Sequence, residues 1–312
     1  MTRVREGAGW TRLDRLSLIR VGGPQRVKFL HGLLSNDISG LAPGQSRLAA
    51  LMNLKGQQVA WMRVLAEADA LYCEVPRDVR DTVIDTFVHY KVGAPVRFEK
   101  LDTAVLGLFG NRAADALIAI GLTAVPTGLE TFATDLMTGS AVRVSRGSDM
   151  PARGRTIHAD HMTAVALEEK LRAHLGAPME AAVLDTLRVE EGIPWHGIDV
   201  SEENLLHETG RLALYHSASK GCYLGQEVVA RLEGRGGNVN KRLVGLKCER
   251  KVKASDEIGA EGTPLGRVTT CGDSPEFGPI AMGYVHRSHA EPGTKVDVSR
   301  VPAEVSALPF RP

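Results

Sequence analysis

The chain has 312 residues, of which 43% are hydrophobic and 24% are charged, and this globular composition excludes disorder as the main state. At roughly 150 residues per domain, the length predicts two domains or three small ones. Lys and Arg total 38 against 37 for Asp and Glu, and aromatic residues are only 5%, which disfavours general polyanion binders and base-stacking RNA platforms.

The first third of the chain predicts alternating strands and helices. The predicted strands are 17–21, 59–65, 71–75, 96–98 and 105–109, and the predicted helices are 24–34, 77–90 and 111–120. Pro24 falls where the first position of a helix tolerates proline. This order of elements is typical of a split βαβ unit.

The rest of the chain predicts a second region of this kind and then a β domain. Strands at 141–145 and 164–167 and helices at 168–175 and 180–191 come first, and Gly192 ends the last helix. The short β-like runs after residue 240 are 243–248, 266–270, 280–285 and 295–298, and they favour a small antiparallel barrel or sandwich. We therefore predict an α+β body over 1–240, with subdomains of about 1–110 and 111–240 whose interleaving stays open. A C-terminal β domain over 241–312 completes the chain.

The sequence contains no recognisable signal for membrane insertion, for secretion or for a cysteine-bound metal site. The longest uncharged run, 116–129, is too short to span a bilayer, and the first residues lack the apolar segment of a secretory signal. Cys73, Cys222, Cys248 and Cys271 lie far apart without a Cys-x-x-Cys pair, which excludes a zinc ribbon and a conventional cluster site. Dispersed thiols predict a reducing cytoplasm. Cys73 and Cys248 alternate with apolar residues and are expected in the core, whereas Cys271 cannot be placed.

Charge is distributed unevenly along the chain. Acidic residues concentrate over 180–208 and basic residues over 231–253. These segments would either line a cleft with two signs of charge or form two solvated faces.

The most informative stretch is 219–227, Ser-Lys-Gly-Cys-Tyr-Leu-Gly-Gln-Glu. Glycines on both sides of Cys222, followed by an apolar run, predict a loop that leads into a helix. Backbone N–H groups and Lys220 would both favour the thiolate form, which predicts a reactive thiol. A structural cysteine beside a turn fits these residues equally well.

This stretch resembles the Lys-Gly-Cys-Tyr-x-Gly-Gln-Glu signature of the YgfZ family, folate-binding relatives of the glycine-cleavage T-protein. Other segments resemble that family in the same order along nearly the whole chain. They are 29–38 (Phe-Leu-His-Gly-Leu-Leu-Ser-Asn-Asp-Ile), 41–44 (Leu-Ala-Pro-Gly), 188–194 (Arg-Val-Glu-Glu-Gly-Ile-Pro), Arg235 and 241–243 (Lys-Arg-Leu).

The resemblance implies a T-protein-like fold in which two split-βαβ-type subdomains and a C-terminal antiparallel β-barrel surround a central pocket for tetrahydrofolate. It also implies assembly or repair of iron–sulfur clusters in client enzymes, including tRNA-modifying ones, with Cys222 and Lys220 as reactive groups. The implied folate-binding residues are Asn36, Asp37, Glu190, Trp195, Tyr223 and Arg231.

Several of these residues also have simpler interpretations. A carboxylate at Glu190 suits the paired N–H groups of a pterin edge, although a helix-surface acid fits the pattern as well. Asp37 fits a turn or cap equally, and Trp195 fits packing in a core or loop.

One departure separates this chain from the T-proteins. They carry paired aspartates after a glycine turn, whereas here Ala60 and Trp61 align with that pair and no carboxylate lies between Gly56 and Leu65. Aminomethyl transfer would then lack the charge that stabilises a developing iminium. A tetrahydrofolate-dependent aminomethyltransferase or demethylase acting on a small amine is therefore the alternative function. The segment 206–208 also departs from the family, which usually has a proline there.

The remaining expectations concern partners. The resemblance implies folate and either iron–sulfur enzymes or cluster-assembly proteins as partners. We expect a monomer that does not bind nucleic acid directly and does not bind membranes. An adaptor whose basic stretch 231–253 docks a partner is a third hypothesis. His158 and His161 have metal-like spacing, but they read as a loop without a third ligand, so no metal site is predicted.

Overall fold

The computed structural model describes residues 1–311. These residues contain eight α-helices and sixteen β-strands, joined by turns and loops. The helices are α1 (Thr2–Glu6), α2 (Arg26–Leu33), α3 (Arg80–Tyr90), α4 (Ala113–Ala119), α5 (His161–Leu175), α6 (Ala181–Glu190), α7 (Leu212–Tyr215) and α8 (Gln226–Glu233). The first strands are β1 (Gly9–Arg12), β2 (Leu16–Gly22), β3 (Ser46–Met52), β4 (Gln58–Ala66), β5 (Ala70–Pro76), β6 (Arg97–Leu101), β7 (Ala104–Phe109), β8 (Thr131–Met137), β9 (Ser140–Arg146) and β10 (Arg155–Ala159). The later strands are β11 (Lys241–Cys248), β12 (Glu257–Ala260), β13 (Thr263–Ser274), β14 (Gly278–His286), β15 (Lys295–Val298) and β16 (Val301–Ser306).

The chain alternates between two compact units, each built from separate segments of the sequence. The α+β unit comprises Thr2–Met179 and Ala213–Gln226. The barrel unit comprises Met1, Glu180–Leu212 and the chain from Glu227 onward. The barrel strands all follow residue 240, but α6 and the segment after it, which the sequence groups with the α+β body, also belong to the barrel unit.

The first sheet of the α+β unit has the antiparallel strand order β3-β4-β5-β2-β6. Leu71, Cys73 and Val75 of β5 join the core that contains buried residues of α2 and α3, whereas Tyr72 and Glu74 point to the opposite face. Because both faces are covered, β4 and β5 are buried along almost their whole length.

The second sheet repeats this arrangement, with the order β8-β9-β10-β7-β1 and helices α4 and α5 packed on one face. In each half a strand and a helix are followed by a three-stranded meander and a second helix. The place that β6 occupies in the first sheet is taken in the second by β1, from the start of the chain. The α+β class with two related halves is confirmed. The sequence predictions lack β3 in the first sheet and β1, β8 and β10 in the second.

One element of the second half was assigned wrongly. Residues 164–167 are not a strand but part of α5, which begins at His161. The Asp160 side chain caps the helix by accepting a hydrogen bond from the Thr163 backbone N–H at 2.9 Å. The buried residues then recur at helical spacing, at Thr163, Ala164, Leu167 and Leu171. A short apolar run cannot distinguish the two structures without that cap.

Two helix starts also differ from the sequence predictions. Helix α2 begins at Arg26, so Pro24 lies in the preceding turn rather than at the first helical position. Residues Arg77–Val79 form a 3₁₀ turn before α3. Such differences at helix ends leave the buried faces unchanged.

The barrel unit contains a closed antiparallel barrel with the order β11-β14-β13-β12-β15-β16. Its interior is filled by alternate strand residues such as Val244, Leu246 and Val285. The predicted C-terminal antiparallel barrel is thus confirmed, although β12 and β16 were not predicted. No helix among the described residues is long and apolar enough to cross a membrane.

Candidate functional site

Cys222 is the most exposed of the four cysteines. Cys73 and Cys248 are buried, as their alternation with apolar residues predicts, and Cys271 is half-buried. Burial raises the pKa of Cys73 to about 12 and that of Cys248 to about 11, so both thiols stay protonated at neutral pH. Cys222 is therefore the thiol that a reagent or a macromolecule reaches most readily.

Lys220 fixes the Cys222 loop to helix α2. Its ammonium donates hydrogen bonds to the carbonyl oxygens of His31, at 2.5 Å, and Leu34, and it lies 5.0 Å from the centre of the Tyr223 ring. These carbonyls are at the C-terminal end of α2, where a cation also interacts favourably with the helix dipole. Burial lowers the pKa of Lys220 to about 8. The Lys220 ammonium is thus placed as a cap on α2.

Gly225 allows the loop to approach the β3–β4 hairpin closely. Its φ is +82°, and a Cβ there would lie 2.6 Å from the carbonyl oxygen of Asn53. The backbone N–H of Tyr223 donates to Gln226 Oε1 at 3.1 Å, and this bond closes the turn into α8. Steric contact with the hairpin therefore explains why the second glycine of the signature, Gly225, has no side chain.

Asn36 links the segment that carries the loop to strand β3. Its amide nitrogen donates to the carbonyl oxygens of Leu48, at 2.8 Å, and Leu214, at 3.0 Å. Its amide oxygen accepts a hydrogen bond from the Asp37 backbone N–H. Because the backbone uses both ends of this buried amide, Asn36 is placed as a positioning residue.

Asp37 closes a turn, which is one of the interpretations that its sequence context left open. Its Oδ1 accepts hydrogen bonds from the Ser39 hydroxyl and backbone N–H, and these bonds lower the pKa of Asp37. The same oxygen lies 3.4 Å from His31 Nδ1. Burial, aided by the charge of Lys220, lowers the pKa of His31.

Trp61 occupies the position where the resemblance places the T-protein aspartates. Its ring stacks on Tyr215 with centroids 4.1 Å apart, and its indole N–H donates to Gln58 Oε1 at 2.9 Å. Strand β4 carries no carboxylate. An aromatic pair therefore fills this place in the α+β unit.

Glu190 is a buried carboxylate in the barrel unit, not a surface acid. It is the last residue of α6, is 3% exposed, and accepts a hydrogen bond from the Ser274 hydroxyl at 2.5 Å. Its backbone oxygen accepts from the Phe310 N–H at 2.9 Å. Gly192 has a φ of +58° and ends the helix, as predicted.

Trp195 is fixed by a buried ion pair. Arg188 Nη1 lies 2.6 Å from Asp199 Oδ2, and the Arg188 guanidinium lies 4.4 Å from the centre of the indole ring. The Trp195 backbone N–H donates to the same Asp199 oxygen at 2.9 Å. Trp195 is thus a buried, rigidly held ring in the barrel unit.

Tyr284 is a candidate that the sequence analysis missed. Its hydroxyl is buried without a hydrogen-bond partner among the described residues, and it lies on β14 beside Val189 of α6. Burial raises its pKa, and the negative charges of Asp199 and Glu208 add to this effect. Its position in the alternating run 280–284 was the available signal, because Ile280, Met282 and Tyr284 share one face of the strand.

Arg231 lies exposed on α8 and forms no ion pair with a residue that the structure describes.

Further along the chain, the acidic and basic segments of the barrel unit meet at Lys241. Its ammonium donates to the Glu203 carbonyl oxygen at 3.1 Å and lies 3.7 Å from Glu208 Oε2.

A buried ionic network between the two sheets of the α+β unit was also missed. Arg63 of β4 lies 3.7 Å from Glu74 of β5 and is bonded to Asp149. The other Glu74 oxygen accepts from the Thr156 hydroxyl at 2.7 Å and lies 2.5 Å from His158 Nε2 on β10. Burial alone would raise the pKa of Glu74, but the His158 hydrogen bond and the Arg63 charge outweigh it and lower the pKa to about 2. Charged residues within the apolar runs of β4 and β5 were the available signal.

His158 and His161 lie on different elements and have different partners. His158 lies on a buried strand rather than in the predicted loop, and His161 begins α5, where it lies 3.0 Å from Asp102. Among residues 1–311, no group of three or more His, Cys, Asp or Glu side chains is arranged to hold a metal ion.

Comparison with known proteins matches both units. Residues 241–311 match the glycine cleavage T-protein C-terminal barrel domain, and residues 1–214 match the GCVT N-terminal domain. The glycine cleavage system aminomethyltransferase T of Bartonella henselae has a similar structure, with a TM-score of 0.89 at 25% identity over 99% of this chain and 88% of that one.

Relatives of two kinds share this fold. The aminomethyltransferase of Saccharopolyspora erythraea is 28% identical over 98% of this chain and 88% of its own length, and the mitochondrial one of Gallus gallus is 32% identical over 94% and 79%. The tRNA-modifying protein YgfZ of Cronobacter sakazakii is 31% identical over 72% of this chain and 67% of its own length. With both domain models matched in order along the chain, and a relative 32% identical over 94% of this chain, this protein belongs to the glycine cleavage T-protein family.

Proposed function

We propose that this chain binds tetrahydrofolate and, as a cytoplasmic monomer, supports the assembly or repair of iron–sulfur clusters in client enzymes, including tRNA-modifying ones, through the Cys222 thiol. The proposal is supported by the position of the Cys222 thiol. It is exposed on a loop that Lys220, Gly225 and Asn36 hold against the α+β unit. An exposed thiol on a braced loop suits contact with a macromolecular client better than chemistry in a closed pocket.

The barrel unit offers groups that suit a folate. The buried Glu190 carboxylate would accept the N–H groups of a pterin edge, and the unpartnered Tyr284 hydroxyl would gain a hydrogen bond from a polar ligand. Arg188 covers one face of the Trp195 ring, and the other face is the proposed apolar contact for a pterin. Tetrahydrofolate, when bound, supplies a carrier for one-carbon units. We infer that Glu190 and Tyr284 orient it, while Arg231, Asp37 and Tyr223 stay proposed contacts from the resemblance.

Aminomethyl transfer is the second candidate, favoured by the full-length similarity to aminomethyltransferases. The stacked Trp61–Tyr215 pair counts against it, because no carboxylate on β4 can stabilise a developing iminium.

A purified-protein experiment separates the candidates. Tetrahydrofolate binding is measured by calorimetry in the wild type and in Glu190→Gln, and formation of methylenetetrahydrofolate is measured with small methylated amines as substrates. We expect binding that Glu190→Gln weakens at least about tenfold, the loss of one strong hydrogen bond, and no turnover. Turnover at a rate typical of enzymes would establish the alternative, and absence of binding would refute the folate part.

The role of the thiol is tested in a strain that lacks its own protein of this kind. Activity of an iron–sulfur enzyme is measured with wild type, Cys222→Ala and Cys271→Ala. We expect the wild type and Cys271→Ala to restore activity and Cys222→Ala to fail. Full restoration by Cys222→Ala would remove the thiol from the proposal.

A further inference from the structure

The tip of the β3–β4 hairpin carries an apolar side chain that the turn does not need. Asn53 and Gly56 build the turn: the Asn53 side-chain oxygen accepts from the Lys55 and Gln57 backbone N–H groups, and Gly56 has a φ of +72°. Leu54 between them is 75% exposed. A polar residue would serve the turn equally well, so the Leu54 side chain is available for contacts outside the turn, and its surroundings decide whether it belongs to a binding surface.

Leu54 stands at the edge of a groove of about 650 Å³, which we call the Leu54 groove. Apolar residues of the hairpin, of α3 and of the Cys222 loop contribute to its lining. They are Met52, Leu54, Val59, Tyr90 and Leu224. The volume is that of a site for one or two large side chains.

The Leu54 groove is continuous with the Cys222 loop. Leu224 lines it, and Gly225 packs against the Asn53 carbonyl oxygen at the base of the hairpin. Cys222 precedes Leu224 by two residues, a reach of at most roughly 7 Å along the backbone. A group seated in the groove is therefore close to the exposed thiol.

The two walls of the groove carry opposite charges. Lys55 lies on the hairpin wall and Asp85 on the α3 wall, and both are exposed without an ion pair to a described residue. A protein segment with a large apolar side chain between an acidic and a basic residue complements this pattern. A phosphate backbone would be repelled by Asp85 and would leave the apolar floor unused.

We propose that the Leu54 groove docks such an amphipathic segment of a client protein and thereby presents the client to Cys222. The inference rests on the proposed function and names the surface through which it acts.

The test measures iron–sulfur enzyme activity in the deficient strain with Leu54→Asp, Asp85→Lys and the matched control Met162→Asp. Met162 is another exposed apolar residue of the same unit, 84% exposed on α5 and outside the groove. We expect Leu54→Asp and Asp85→Lys each to lower activity at least fivefold to tenfold, as truncation of interface anchors does, while Met162→Asp matches the wild type. Labelling of Cys222 by maleimide and the melting temperature should be unchanged in all three variants.

The outcomes separate the two proposals. If the wild type restores activity and both groove variants restore it equally, docking in the groove is wrong and the role of Cys222 stands. If the wild type restores nothing, the proposed function fails and the docking proposal falls with it. A dimer in analytical ultracentrifugation that Leu54→Asp dissociates and Met162→Asp does not would assign the groove to a second copy and overturn the proposal. If Leu54→Asp lowers the melting temperature, the activity of Asp85→Lys alone tests docking in the groove, because the exposed Asp85 side chain contributes little to folding stability.

Discussion

At the scale of single residues, position decides which side chains are free for chemistry. Of the signature residues, Lys220 is directed to the end of α2 and Gly225 serves a close backbone approach, which leaves the Cys222 side chain exposed. Lys220 and its partner His31 are 189 positions apart in the chain, so no local pattern could reveal this cap. The sequence predicted that the signature forms a loop. It did not predict which of its residues hold the loop in place and which side chain stays exposed.

The exposure of the thiols predicts their order of reaction. With a limiting amount of maleimide at pH 7, Cys222 should be modified first and Cys73 and Cys248 only after unfolding, because burial keeps those thiols protonated and inaccessible. Peptide mass spectrometry after short reaction times checks the order. Early labelling of Cys73 in folded protein would contradict it.

Removing the Tyr284 hydroxyl should have opposite effects with and without ligand. A buried hydroxyl without a partner is unfavourable, so Tyr284→Phe should raise the free energy of unfolding by about 1 kcal/mol in urea denaturation. If the hydroxyl bonds a folate, the same variant should bind tetrahydrofolate more weakly in calorimetry. Unchanged affinity would remove Tyr284 from the proposed contacts.

At the scale of elements, the loop and the hairpin meet through a backbone contact that depends on a glycine. Gly225→Ala should lower the free energy of unfolding by about 1–3 kcal/mol, because it combines a positive φ with a collision at Asn53. Gly221→Ala is the matched control, since a Cβ there meets no atom within 4 Å. Equal stability of the two variants in urea denaturation would disprove the contact.

The network around Glu74 joins strands from both sheets and predicts an acid dependence. The folded pKa of about 2 lies below the ordinary value, so the unfolded chain takes up the proton first as pH falls. The stabilisation is thus complete above about pH 5 and is lost as pH decreases toward 2.

Glu74→Gln should lower the free energy of unfolding at pH 7 by about 2 kcal/mol, since it removes one of the two anionic partners of the buried Arg63 and the charged acceptor of the His158 hydrogen bond. It should also flatten the decline between pH 5 and pH 3. Urea denaturation at several pH values measures both effects. An acid profile parallel to that of the wild type would show that Glu74 is not the titrating group.

At the scale of the whole molecule, the class and the barrel could be predicted because periodicity and turn residues are local signals. The sequence could not predict that residues 180–212 belong to the barrel unit, because membership of a unit depends on contacts between distant segments. The strand–helix error at 164–167 had a local cause, the unrecognised cap at Asp160. The Glu74 network was hidden because its members come from four separate parts of the chain.

Ligand binding should stabilise the whole chain by mass action. Tetrahydrofolate at a hundred times its Kd should raise the free energy of unfolding by about 2.7 kcal/mol. Glu190→Gln should lose at least about half of this gain at the same ligand concentration, since a tenfold weaker affinity leaves only about 1.4 kcal/mol. Glu304→Gln, which changes an exposed acid paired with Lys295, should keep the whole gain. Thermal unfolding with and without ligand measures the difference. An equal gain in both variants would exclude Glu190 as a contact.

The place of β1 has a consequence for synthesis. Gly9 pairs with Phe109, so a strand made among the first residues waits for roughly a hundred more before its partner exists. The first sheet uses only strands between Leu16 and Leu101 and has all its members before then. Folding on the ribosome would therefore complete the first half while β1 still has an unsatisfied edge, and a chaperone that shields this early segment would act in that interval.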